Sequence, residues 1–256
     1  MMRLSREVRF ALANEYVTAI TNSWGGWPSS SLLVPRMSLI TTVEGQPKKR
    51  SGYICNIKLL DDLLRDAVTG EVIPILKPDT TPELILRHVY KYCMKTWDVP
   101  EVAIVEQTLV LTPFLKFSIS SKDNAMVSLT QQFEFSASHR LHNDELSEQE
   151  NLELFGKCNN PNGHGHNYVV EVSLNRAFEN DRVNLPAFEA KVKELVIDRL
   201  DHKHLNIDVD YFATVNPSVE NIAIAIYNWL DGQFGDHKLT NVRVYETPKT
   251  WADFSG

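Results

Sequence analysis

The sequence predicts an α+β protein made of two tandem β-β-α-α-β-β units. Three observations carry this: the second half of the 256-residue chain alternates strand-like and helix-like segments in that order, the first half repeats the order, and two acidic residues fall at matching places in both. The expected division is 1–122 and 123–256.

In the first half, REVRFALANEYVTA and LLVPRMSLITTV read as strands, NIKLLDDLLRDAV and TPELILRHVYKYCM as helices, and EVAIVEQTLVLTPFLKF as the closing extended region. The second half runs strand QQFEFSASHRL, a loop, strand NYVVEVSLNR, helix PAFEAKVKELVIDRL, helix SVENIAIAIYNWLDG, strand NVRVYET and a short extended WADFSG. Phe188, Val192, Leu195 and Val196 form one apolar stripe at helical spacing, and Ile222, Ala225, Ile226, Trp229 and Leu230 form another. EVAIVEQ sets Glu106 on Glu246 of NVRVYET, and TPEL sets Glu83 on Glu220 of SVEN. An old duplication explains both matches; the competing explanation is that any two α+β halves share an element order.

The differences are chemical. Where the second half has His139, Cys158, His164 and His166, the first has Tyr16, no cysteine and the serines of WPSSSLL, and it lacks a counterpart of LDHKHLN. The first unit reads as a degenerate copy without metal ligands, the second as the catalytic one.

Composition narrows the function classes. With 26 basic against 33 acidic residues the formal net charge is −7, so neither a nucleic-acid groove nor an anionic membrane surface is expected. Three cysteines argue against a disulfide framework and for a reducing, cytoplasmic setting. The start lacks a secretory apolar run, and no stretch of about 18 uncharged apolar residues occurs, so a soluble protein is expected.

CNNPNGHGHNY, residues 158–168, carries the chemistry. Strand alternation puts His164 and His166 on one face and Gly165 on the other. His139 ends the preceding strand at the parity of Phe133, Phe135 and Ala137, so three imidazoles converge if the strands pair. Three histidines with an open fourth position suit a catalytic zinc; chance histidines on a surface loop are the plain alternative. Cys158 is open to three readings: fourth ligand, base or nucleophile, or small buried residue. Its turn-forming neighbours favour an exposed, easily deprotonated thiol. Asp201 beside His202 suits an imidazole oriented by a carboxylate, or merely a capped helix end. Glu246 shares the face of Val242 and Val244, where a carboxylate needs a planar donor partner such as a heterocycle edge.

FSASHRL, GKCNNPNGHGHNY, LDHKHLN, SVENIAIAIYNWL and VRVYET together resemble the 6-pyruvoyl-tetrahydropterin synthase family, which includes the 6-carboxy-tetrahydropterin synthases of the queuosine pathway. The resemblance covers roughly 129–256. It implies a tunnelling fold (T-fold), in which each unit gives a four-stranded antiparallel sheet and several units close into a barrel with helices outside. It places zinc on His139, His164 and His166, the catalytic thiol at Cys158, a relay at Asp201 and His202, and a pterin-anchoring carboxylate at Glu246. Glu220 and Ser218 match the pterin rim, although Val219 stands where a hydroxyl is expected.

The implied reaction is a carbon–oxygen lyase step: zinc-assisted proton removal from 7,8-dihydroneopterin triphosphate, tautomerisation and elimination of triphosphate to give 6-pyruvoyl-tetrahydropterin. The five residues between Cys158 and His164 resemble the pyruvoyl synthases, whereas a three-residue spacing marks the carboxy-forming branch. The remaining alternative is a catalytically idle zinc- and pterin-binding protein. Because the family builds its sites across subunits, the expected assembly is a homo-oligomer, a trimer of chains (pseudo-hexamer) with intact units in one barrel and degenerate units in a second.

Overall fold

The computed structural model describes residues 1–12, 27, 33–77, 79–177 and 183–256. Tyr16 and Ser29 to Ser31, which the reading above set against the metal ligands, lie outside the described residues. The chain divides into two compact units, Met1–Leu129 with Ala177–Glu179, and Thr130–Arg176 with Asn180–Gly256. Both are α+β, with helices on an antiparallel sheet, as the element order predicts.

In the first unit β1 (Met2–Ala11) pairs with β2 (Arg36–Gly45), β2 with β3 (Ala103–Thr112) and β3 with β4 (Leu115–Ser120), all antiparallel. Val8, Phe10, Leu39, Leu109, Phe117 and Ile119 are buried on these strands, and Leu60, Leu64, Leu86 and Val89 on α1 (Ile57–Ala67) and α2 (Pro82–Thr96). Asn56 caps α1 by accepting from Lys58 N–H at 3.0 Å, and Thr81 with Pro82 starts α2. Opposite Thr42 and Val43 the β2–β3 register shifts, and the fully buried position on β3 falls to Gln107 while Glu106 stays half-buried. Glu246 on the matching strand of the second unit is likewise half-buried, and the register shift on β2–β3 is a β-bulge.

The second unit begins within β5 (Asp123–His139) and continues through α3 (Glu148–Phe155), β6 (His164–Ala177) and α4 (Leu185–Val192). From α4 a π-helical turn, Lys193–Ile197, leads to α5 (Asp198–Leu200), followed by β7 (Lys203–His204), α6 (Leu205–Asp208) and α7 (Val219–Leu230). β8 (Lys238–Thr247) and β9 (Thr250–Phe254) close the order. β6 pairs antiparallel with β8 and β8 with β9, while the two-residue β7 adds in parallel to β5. Phe135 stacks on Tyr168 with ring centroids 4.8 Å apart, and this face buries Val170, Val172, Val242 and Val244 with Phe188, Val192, Ile222 and Ile226 of the helices. Each of these side chains contributes roughly 1.5–3 kcal/mol on burial.

The connection read as a loop between β5 and β6 contains α3, a helix with a full capping box: Ser147 takes the N–H of Glu150, and the Glu150 carboxylate takes the N–H of Ser147. The pattern Ser147-x-x-Glu150 was the available signal. No described helix is long and apolar enough to cross a membrane.

Candidate functional site

Strand parity delivers the three imidazoles to one place. His139 at the end of β5 and His164 and His166 at the start of β6 stand with ring centroids 4.5, 5.3 and 4.9 Å apart. His139 Nε2 lies 3.2 Å from His164 Nε2. The register Val170↔Val244 carries Glu246 to the same group, with Oε1 3.4 Å from His139 Nε2 and 3.5 Å from His166 Nε2. Ligand atoms of these four residues all lie within 4.8 Å of one another.

This donor set fits a metal ion. Ligands about 2.0–2.1 Å from a tetrahedral zinc stand about 3.4 Å apart, close to the spacings here. His139 is fully buried, and its Nδ1 donates to the Pro217 carbonyl at 2.6 Å, which leaves the Nε2 lone pair aimed at the group. Burial pushes His139 down to about 4 and lowers His164 as well, so these rings are neutral at physiological pH, the form that ligates. His166 Nε2 is buried without a hydrogen bond. Gly163, at φ +70°, lets the loop pass this point: a Cβ there would sit 3.0 Å from the His139 carbonyl oxygen.

Cys158 lines the cavity that His164 and His166 also line, together with Arg140, His142 and Lys157. It is half-buried rather than exposed, and burial, reinforced by the Glu246 carboxylate, raises its thiol above the ordinary value. The expectation of an easily deprotonated thiol thus does not hold for the protein's own groups alone. A cation held by the histidine group would supply the opposing charge.

Asp201 and His202 are stitched to the edge of β5. Asp201 Oδ1 accepts from Ser136 N–H at 2.8 Å, His202 N–H donates to Ser136 O at 2.6 Å, and Asp201 Oδ2 lies 2.7 Å from His202 Nδ1. The Ser136 and His202 hydrogen bonds hold the Asp201 carboxyl below its usual range. His202 adopts φ +57°, a left-handed conformation that costs a non-glycine residue about 1–2 kcal/mol, and its side chain is 84% exposed. This geometry presents the imidazole outward. His202 lines a second cavity, with His166, Ser136 and His204, in which Cys158 has no part.

The structure therefore brings His139, His164, His166 and Glu246 together, with Cys158 on a cavity shared with His164 and His166, and puts His202 on a second cavity that His166 also lines. Ser218 is the N-cap of α7, accepting from Asn221 N–H, and Glu220 is exposed in its first turn; neither lines those two cavities. Tyr168, missed in the sequence, stands behind the site: it is fully buried, its hydroxyl has no hydrogen bond, and its ring lies 5.6 Å from that of His166. Its place two residues after His166 on the same strand face was the available signal.

The family model described as 6-pyruvoyl tetrahydropterin synthase matches residues 128–256. The human 6-pyruvoyl tetrahydrobiopterin synthase is 42% identical over 131 residues, which are 50% of this chain and 90% of that protein. The Drosophila melanogaster protein of the same name is 40% identical over 132 residues, 50% of this chain and 79% of the relative. Among solved structures, the Caenorhabditis elegans 6-pyruvoyl tetrahydropterin synthase has 38% identity and a TM-score of 0.47, covering 51% of this chain and 96% of that one.

Proposed function

The chain belongs to the 6-pyruvoyl tetrahydropterin synthase family through residues 128–256, and from that premise we propose that its second unit converts 7,8-dihydroneopterin triphosphate to 6-pyruvoyl-tetrahydropterin with release of triphosphate. The observation that carries the proposal is the grouping of three histidine nitrogens and one carboxylate within 4.8 Å of one another, with Cys158 on the cavity that His164 and His166 line.

His139, His164 and His166 would hold zinc. When bound, the ion supplies positive charge that stabilises an oxygen anion developing on the substrate side chain and favours the Cys158 thiolate. Cys158 takes the proton from the side-chain carbon next to the pterin ring. Glu246 offers its carboxylate to the amino-pyrimidine edge, two parallel donors that fix the ring in one orientation. His202, held in one tautomer by Asp201, returns a proton as the carbon framework rearranges and triphosphate departs. Ser218 and Glu220 are assigned to the pterin rim.

Because His202 lines a cavity in which Cys158 has no part, we assign the Asp201–His202 relay acting on each Cys158 to a neighbouring chain. The units are then T-fold units that close into barrels, the first a degenerate copy lacking metal ligands, in a trimer of chains working in the cytoplasm.

The test is to incubate zinc-loaded protein with 7,8-dihydroneopterin triphosphate and identify the pterin by mass. A pyruvoyl product with free triphosphate supports the reading. A carboxy product with acetaldehyde moves the chain to the queuosine branch, and absence of turnover with zinc bound leaves a binding protein.

A further inference from the structure

Arg140, Leu141 and His142 leave β5 directly after His139 and turn onto the loop that carries Cys158. Arg140 Nε donates to the Asn159 carbonyl at 3.2 Å, Leu141 N–H donates to the Cys158 carbonyl at 2.9 Å, and His142 Nδ1 lies 2.9 Å from Asn159 Oδ1. Three successive residues thus reach Cys158 and its neighbour. Arg140 Nη2 donates to the same His142 Nδ1 at 3.1 Å, which makes Nδ1 an acceptor and puts the ring proton on Nε2, 3.2 Å from Asp144 Oδ1, so the Asn159 Oδ1 approach is a contact and not a second hydrogen bond.

This arm is itself fixed. Asn206 accepts from Arg140 N–H at 2.8 Å and donates to Arg140 O at 2.9 Å. Asn216 accepts from His142 N–H at 3.2 Å. The fully buried Asn151 of α3 accepts from Asn143 N–H at 2.8 Å and donates to Asn143 O at 2.9 Å. Three amide side chains from three other segments thus satisfy backbone groups that no strand takes, and polar groups left unpaired there would be costly. A segment pinned this way transmits its position to whatever it grips. The Cys158 loop, by contrast, is a succession of turns with Gly163 N–H on Asn160 O.

We propose that Arg140, braced by His142, is a positioning residue for Cys158: its guanidinium holds the Asn159 carbonyl and so fixes where the sulfur stands in the cavity shared with His164 and His166. The inference rests on Cys158 being the group that takes the substrate proton. Misplacing such a group by about 1 Å costs on the order of a hundredfold in rate. Two of the guanidinium nitrogens are engaged with the protein, which separates this role from that of a cation waiting for a phosphate.

The test compares the full-length zinc-loaded protein with Arg140→Gln and Arg140→Lys, measuring metal content, kcat, KM and the rate at which iodoacetamide alkylates Cys158, mapped by peptide mass. Cys55 and Cys93 are buried, so the reagent reads Cys158. Expected for Arg140→Gln is wild-type metal content, KM within about twofold, kcat lower by roughly 10–100-fold, and several-fold faster alkylation because the loop is released. Arg140→Lys, which keeps the charge without the planar fork, should fall between. Unchanged kcat and alkylation overturn the proposal, as does a rise in KM with kcat preserved, which would make Arg140 a substrate anchor. If Arg140→Gln does not fold, the lysine variant is judged by the same readouts. An inactive wild type would remove the role of Cys158, yet equal alkylation rates would still overturn the clamp and unequal ones uphold it.

Discussion

Glu246 stands between two roles. Its Oε1 lies within 3.5 Å of two histidine nitrogens, where a carboxylate can ligate, yet the proposed reaction needs it for the pterin edge. The roles separate experimentally. A pterin anchor predicts that Glu246→Gln keeps its metal and raises KM about 10–100-fold, the worth of a hydrogen bond to a charged group, whereas His164→Ala loses the metal and turnover together. Zinc content measured beside KM decides, and loss of metal from the glutamine variant would move Glu246 into the ligand set. His202 poses a cleaner case. Its left-handed backbone suits asparagine, so His202→Asn should melt at the wild-type temperature while kcat falls by about 10²–10⁴-fold, the usual weight of general acid–base catalysis. A variant that loses stability and activity in parallel would make His202 a structural residue.

At the scale of elements, pairing decides what the sequence could show. Parity along β5 and β6 made the three histidines legible, since alternation needs no knowledge of partners. The company of Glu246 was legible only in part: its face followed from Val242 and Val244, but its place beside His166 depends on the β6–β8 register, which no local pattern states. The asparagine clamps, Asn151, Asn206 and Asn216, were not legible at all, because each joins residues 8 to 74 positions apart. The π-helical turn at Lys193–Ile197 was hidden too, since its apolar spacing reads as one continuous helix. In the first unit, β1 and α1 are joined by Asp61, which binds Arg6 Nε at 2.8 Å and Arg65 Nε at 2.6 Å. Burial pushes this carboxyl up, but the two guanidinium groups outweigh it and hold it below 3.8. A carboxyl that is more acidic folded than unfolded stabilises fully above about pH 4, and the contribution is lost as pH falls through the folded value. Acid denaturation followed by circular dichroism should therefore show a shallower loss of first-unit stability below about pH 4 in Asp61→Asn than in the parent, the variant starting less stable at pH 7.

For the whole molecule, the separation of Cys158 from Asp201 and His202 is the fact with the widest consequence. All three belong to one unit, yet His202 lines one cavity and Cys158 another, with His166 on both. Within each unit the sheet has an edge strand, β1 in the first and β9 in the second, with no second partner among the described residues. Exposed edges invite pairing with another chain, and rotational symmetry makes a ring of such pairings close. If neighbouring chains complete each site, two inactive variants must repair each other. Cys158→Ala and His202→Ala, each inactive alone, should regain activity when unfolded together and reassembled in equal amounts. In a closed ring, a site works only where a chain that keeps Cys158 meets a neighbour that keeps His202, so random mixing should restore about one quarter of wild-type turnover. Mixing without reassembly should restore none. No recovery after reassembly, with oligomer size and metal content normal, would place the relay and the thiol of each site in one chain and remove the reason for assigning the relay to a neighbour.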